Sequence, residues 1–424
     1  MTDQRELDRL LDAYFVDGTD ELADRVIQAA LDQIDHTRQR RVLHVPWRFR
    51  PMTMPLRLGT AAVIGALVLG GAFLLTGGGS RPSTIPTPSA SPGPIWSVTG
   101  SPPQDRGNAQ IAIQLKDGRI LHAGGLQPAT ADLYDPSTGT WMATGSFNIG
   151  RAYPIAARLA DGRVLVAGGS EFNAASAELY DPATGAWTVT GSMATPRNQG
   201  FGILLADGRI LAAGGGNDGG KASAELFDPA TGIWASTGSL PAVRAGPLGI
   251  TRLPDGRVLV DGGFADDKTS AEIYDPTTGT WTATGRMTTG RGDEQSAILM
   301  RDGRVLVCGG HPSSCDTYDA TAGRFTPTGP LKAAYTDLLV LNQLADGSVL
   351  LVAGGGSGAS ATGFATAELF DPAMGTWTAV GEPLGATKFV RSAHTLPDGT
   401  VLVVGSDSTN AAGNPNAELY HPAP

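Results

Sequence analysis

Charge is scarce in this chain of 424 residues: 17% of positions are charged, and Asp+Glu 41 outnumber Lys+Arg 31 for a net charge of -10. A nucleic-acid binder carries a concentrated basic footprint, so that class is excluded. Cysteine is scarcer still, with only Cys308 and Cys315. Two cysteines cannot staple a small disulfide scaffold, and the paired spacing of zinc sites is missing. No phosphate-cradling glycine loop and no nucleophile elbow occurs. Long apolar runs are also missing, except at residues 58–76. Gly 58 and Pro 29, by contrast, are abundant. The glycines recur in phase with strand-like apolar runs, so they read as turn punctuation rather than disorder.

The N-terminal quarter has its own organisation. Leu7, Leu10, Leu11, Tyr14 and Phe15 share one helical face, as do Leu22, Val26, Ile27, Ala30, Leu31 and Ile34, with Asp17-Gly18 between them. Residues 1–45 therefore read as a helical hairpin. Residues 46–57 form a basic juxtamembrane segment, with Arg48, Arg50 and Arg57 near Trp47. Residues 58–76 carry no charge and match the length of a bilayer-crossing helix. The core of a cleaved signal peptide would start unusually late there. Arginine upstream of the span places the N-terminus in the cytoplasm and the remainder outside the cell membrane, as a single-pass protein. Residues 77–93 are a Pro/Ser/Gly-rich linker, extended and unpacked by composition.

From residue 94 to 424 one phrase recurs seven times. Its Asp-Gly pair falls at Asp117, Asp161, Asp207, Asp255, Asp302, Asp346 and Asp398, a period of 44 to 52 residues. Such a period marks a repeat architecture. Each copy reads as four strands: one ending at Asp-Gly, expected as a type I′ turn; an apolar second ending at Gly-Gly; a third such as Ala177-Glu178-Leu179-Tyr180; and, after Asp-Pro-x-Thr-Gly, a fourth starting at an aromatic. Six such fourth strands follow the repeats, at Trp141, Trp187, Trp234, Trp281, Phe325 and Trp377. The seventh is supplied from the other end, where the sequence at Trp96 matches that at Trp187. The expected fold is all-β, a seven-bladed β-propeller closed by its N-terminal strand, preceded by a short helical segment and one transmembrane helix.

The Gly-Gly pairs, the Tyr or Phe before Gly-x-Trp, and the basic residue ahead of each first strand carry a family resemblance. Those basic residues are Arg106, Arg151, Arg197, Arg244, Arg291, Lys332 and Lys388. The region resembles the kelch-repeat family, in particular the central propeller of galactose-oxidase-like proteins. That resemblance implies the fold and leaves function open. A copper–radical centre of the galactose-oxidase type implies two tyrosines, two histidines and a cysteine–tyrosine crosslink. The propeller holds only His122, His311, His394 and His421, and no residue-by-residue transfer succeeds. No cofactor and no metal are expected.

Copies of the repeat align Cys308 with Ala167 and Cys315 with Ala177, on adjacent antiparallel strands. A Cys308–Cys315 disulfide is expected. The recurring Glu178, Glu225, Glu272, Glu368 and Glu418 read as structural, and no catalytic residue is assigned. Up-and-down strands put the uniform Asp-Gly and Asp-Pro turns on one face and the variable loops on the other. Binding residues ride on variable loops over a rigid scaffold. The candidates are therefore Tyr153, Glu171, Asp218, Asp266, Asp293, Glu294, His311, Tyr335, Asp337, Arg391 and His394, several of them expected to line the channel mouth. The reading that follows is a membrane-anchored, extracytoplasmic binding module for a protein or glycan. The alternatives are a carbohydrate-acting oxidase or lyase using the channel mouth, and an anti-sigma-type signalling protein whose residues 1–45 hold a cytoplasmic partner.

Overall fold

The computed structural model describes residues 95–423 apart from 126–128, 170–174, 217–220, 247, 264, 266, 293–294, 311–312, 334, 336–338, 355–364, 382, 384–386, 388, 408–412 and the side chain of Asn108. The expected helical hairpin, transmembrane helix and linker lie outside the described residues. Among those described, no helix is long and apolar enough to cross a membrane.

Among the described residues, twenty-eight strands form seven four-stranded antiparallel sheets. Blade 1 runs Gln110–Gln114, Ile120–Gly124, Ala131–Asp135 and Thr140–Thr144, and blades 2 to 6 repeat this order. The first strand of each blade is innermost, touching the first strand of its neighbours. Blade 7 contains Phe389–Thr395, Val401–Ser406 and Pro415–His421, and its outer strand is Ile95–Val98 from the other end of the propeller. Trp96 pairs with Tyr420 and Val98 with Glu418. Pairing the two ends removes the open edge that a linear stack of sheets would expose.

The core is correspondingly divided. Seven apolar clusters lie one in each seam between neighbouring blades. A second strand is sandwiched on both faces, which is why Val164–Ala167 is apolar throughout and wholly buried. Each buried Val or Leu there contributes about 1.5–3 kcal/mol over exposure to water.

The repeated polar residues tie blade to blade. Trp187 donates from Nε1 to Gly145 O (2.8 Å), and Tyr180 shares a hydrogen bond with Thr144 Oγ1 (2.8 Å), both across the seam between blades 1 and 2. Thr99-Gly100 does the same for blade 1: Tyr134 Oη lies 2.8 Å from Thr99 Oγ1, and Trp141 Nε1 donates to Gly100 O (2.7 Å). Arg151 is fully sequestered, donating to Gly168 O and Ser176 O and pairing with Glu178 at 3.1 Å. A planar guanidinium reaches several acceptors in one fixed geometry, which an ammonium cannot.

Two expectations change here. The Asp-Gly turns are not type I′, which needs positive φ at both central residues. Only the glycine adopts it (Gly162, φ 103°), while Leu159 and Gly162 close a type I turn. Asp161 Oδ1 accepts from Arg163 N (3.0 Å) and Oδ2 from Arg163 Nε (2.8 Å), so the side chain caps the turn from an ordinary backbone conformation. Nor is the basic position equivalent in every blade. The side chain of Lys332 is exposed, and Tyr335 takes the inner role by donating to Glu368. Lys388 lies outside the described residues; in its blade Thr387 donates to Glu418 (3.0 Å).

Candidate functional site

The turn face carries a depression of about 800 Å³ between blades 5 and 6, lined by Arg301, Asp302, Arg304, Asp346, Ser348 and Pro372 among others. Its charges are already satisfied. Arg304 pairs with Asp302 (2.6 Å) and donates to Pro372 O (2.7 Å), and Arg301 donates to Ala345 O (2.6 Å). Smaller copies recur between blades 1 and 2 and between blades 2 and 3. A depression that repeats with the scaffold and leaves no group unpaired is a by-product of blade geometry.

The opposite face differs at the rim of the channel. Tyr153 and Gln199 precede the inner strands of blades 2 and 3, and both have positive φ, 54° and 56°. Among the described residues they are the only non-glycines that do. A chain of backbone bonds holds them: Tyr153 N donates to Ala109 O (2.8 Å), Gln199 N to Tyr153 O (3.1 Å) and Gly246 N to Gln199 O (3.3 Å). Blade 4 fills the slot with glycine, the unstrained choice. Tyr153 is 36% exposed, an aromatic ring presented to solvent at the rim. Backbone strain of this kind costs on the order of 1–3 kcal/mol per residue and persists where the surroundings enforce it.

The other expected site residues divide sharply. Glu171, Asp218, Asp266, Asp293, Glu294, His311 and Asp337 lie outside the described residues. Tyr335 does not line the channel mouth; it is buried, and burial together with its bond to Glu368 pushes its hydroxyl pKa far up. Arg391 is buried too, 3.3 Å from Asp105 and 3.1 Å from Ser406 Oγ. It sits where the inner strand of blade 7 bulges, between Val390 and Ser392. His394 is only partly exposed, with its Nε2 buried in the seam between blades 7 and 1. Cys308 and Cys315, direct cross-strand partners, are joined as a disulfide with a Cα–Cα distance of 4.1 Å.

Two buried polar residues stand in slots that other blades fill with apolar ones. His122 replaces Val166 on a second strand and is buried with both ring nitrogens unpartnered. Asp261 replaces Ala167, opposite Gly249 where other blades carry residues such as Ile155. Its Oδ1 accepts from Gln295 (2.7 Å), and burial pushes its pKa up to about 6. A polar residue in an alanine or valine slot of the repeat was the available signal for each.

No family model and no curated protein matches the chain. Among solved structures it is similar to a fungal alcohol oxidase of the AA5 family described in complex with copper, with a TM-score of 0.62 and 19% identity over 77% of this chain and 76% of that one. The likeness is one of fold. A copper centre of the kind the resemblance implies does not fit the described residues. Both cysteines are consumed by one another, so neither can crosslink a tyrosine. Among the described residues no three His, Cys, Asp or Glu side chains converge as a ligand set.

Proposed function

We propose that this chain is a membrane-anchored, extracytoplasmic binding module of kelch-like type, holding a protein or glycan ligand on its variable-loop face at the rim around Tyr153. The observation that carries the reading is the strained pair Tyr153 and Gln199. Glycine occupies their slot in blade 4 without strain, so the two side chains are retained at a cost to folding. Sites of recognition are where such a cost is tolerated. An exposed aromatic ring beside an amide offers a stacking surface and hydrogen bonds, the usual chemistry of selective contact. Residues 58–93, read from sequence as an anchor and a linker, supply the tether of this reading. The test is recovery of a ligand by the full chain in detergent or lipid discs, compared with Tyr153→Gly and Gln199→Gly. Ligand captured by the parent and lost in both variants supports the reading; equal capture by all three sinks it.

A further inference from the structure

The seam that closes the ring is chemically unlike the other six. On the inner strand of blade 1, Gln114 reaches Thr395 O of blade 7 (2.8 Å), so by strand alternation Gln110 also faces blade 7. His122 lies on the adjacent strand, opposite Ala112 in register, on the same face. From blade 7, Ser392 and His394 face back; Leu396, two residues beyond His394, belongs to the same seam's apolar cluster. Both nitrogens of His122, both polar atoms of Gln110, Ser392 Oγ and His394 Nε2 are buried without partners. Few buried polar atoms lack a protein partner, and several of them gather at this seam.

The pair is also wired to the closing strand. The His122 ring packs on Trp141 with centroids 5.4 Å apart, and Trp141 Nε1 holds Gly100 O (2.7 Å), at the end of the N-terminal strand. We propose that the closure seam is an acid-sensitive latch, in which proton uptake by His122 and His394 releases the strand Ile95–Val98 and opens the ring.

Charge counting supports this. The ionised groups facing the pair are already matched: Arg106 with Asp132 at 2.6 Å, and Arg391 with Asp105 at 3.3 Å. No carboxylate remains for an imidazolium, and Arg106 repels one. The same count disfavours a divalent metal ion between the two rings. Contact with the face of Trp141 offsets only part of the cost of a buried cation. Burial, then Arg106 and His394, hold His122 down to about 3, and burial holds His394 down to about 4. Below the ordinary value near 6.5 the open form therefore binds more protons, and closure weakens as pH falls. For His122 alone, the open fraction rises roughly 50-fold between pH 6.5 and pH 4.5.

The experiment follows hydrogen exchange of the full chain in lipid discs at pH 6.5 and 4.5, corrected for the intrinsic pH dependence of exchange. Protection of residues 95–98 and 415–421 is expected to fall at pH 4.5 while blades 2 to 5 keep theirs. The double variant His122→Val, His394→Ile, carrying the types found in equivalent slots, is expected to lose most of that difference. Uniform loss of protection around the ring overturns the latch, as does an unchanged acid response in the variant. Should the variant fail to fold, histidine-labelled NMR of the parent decides: titration of His122 near pH 6.5 overturns the proposal, and neutrality down to about pH 4 supports it.

Discussion

Ser97 Oγ and His421 Nε2 lie 2.7 Å apart although 324 positions separate them in the chain. Around this contact Trp96 meets Tyr420, with ring centroids 5.2 Å apart. Strand pairing here converts seven stacked sheets into a ring. Trp96→Ala is expected to destabilise the propeller by about 3 kcal/mol, since it removes a large ring from a packed seam. Urea unfolding measures it, and a loss under about 1 kcal/mol would contradict a structural role for closure.

Arg151 and Glu178 are wholly buried and joined. Removing one partner strands the other charge, so Arg151→Ala should cost about 3–5 kcal/mol. Arg151→Lys restores charge but not the forked donors, and is expected to recover only part of that loss. Full recovery by lysine in chemical denaturation would show that charge alone is needed.

Asp261 titrates in the opposite sense to the seam histidines. Its folded pKa, about 6, lies above the ordinary 3.8, so the folded state binds the extra proton. The associated stability is present below pH 3.8 and is lost as pH rises through 6. Asp261→Asn keeps an acceptor for Gln295 and abolishes ionisation. It should stabilise the protein at pH 8 by roughly 1–3 kcal/mol and change little at pH 4. Equal effects at both pH values would refute the assignment.

Tyr153→Gly and Gln199→Gly relieve positive φ and are each expected to raise stability by about 1 kcal/mol, a gain set against greater freedom of the unfolded chain. Thermal melting reads this directly. Destabilisation by either would mean that the side chain packs rather than recognises.

Cys308 and Cys315 enclose a short loop, with a sequence separation of 7. Chain entropy then assigns the bridge about 2.5 kcal/mol. Alanine at both positions reproduces the Ala167 and Ala177 pair of blade 2, so no clash accompanies it. Reductant should lower the melting temperature of the parent but leave the double alanine variant unmoved.

Much of the fold is legible in the sequence. Seven copies of one phrase specify seven sheets, because each copy buries its second strand only between neighbours. The echo of Trp187 at Trp96 placed the closing strand for the same reason. Turn type is not legible at Asp161: sequence shows Asp-Gly, while the aspartate keeps negative φ and its side chain bonds to Arg163. The site was less legible. Tyr335 and Arg391 looked like channel residues because they break the repeat. They break it to replace buried partners, Tyr335 for the missing arginine of its blade and Arg391 for a contact to Asp105.

Periodicity, glycine placement and apolar runs are local properties, so the sequence by itself determined the number of blades, their strand order and the pairing of the propeller's two ends. Which way a non-repeating side chain turns depends on the blade beside it, whose residues lie some 45 positions away in the chain, or some 270 across the closing seam. Only the tertiary structure decided that His122 faces His394 across the closing seam, and that Tyr153 is strained while Tyr335 is buried.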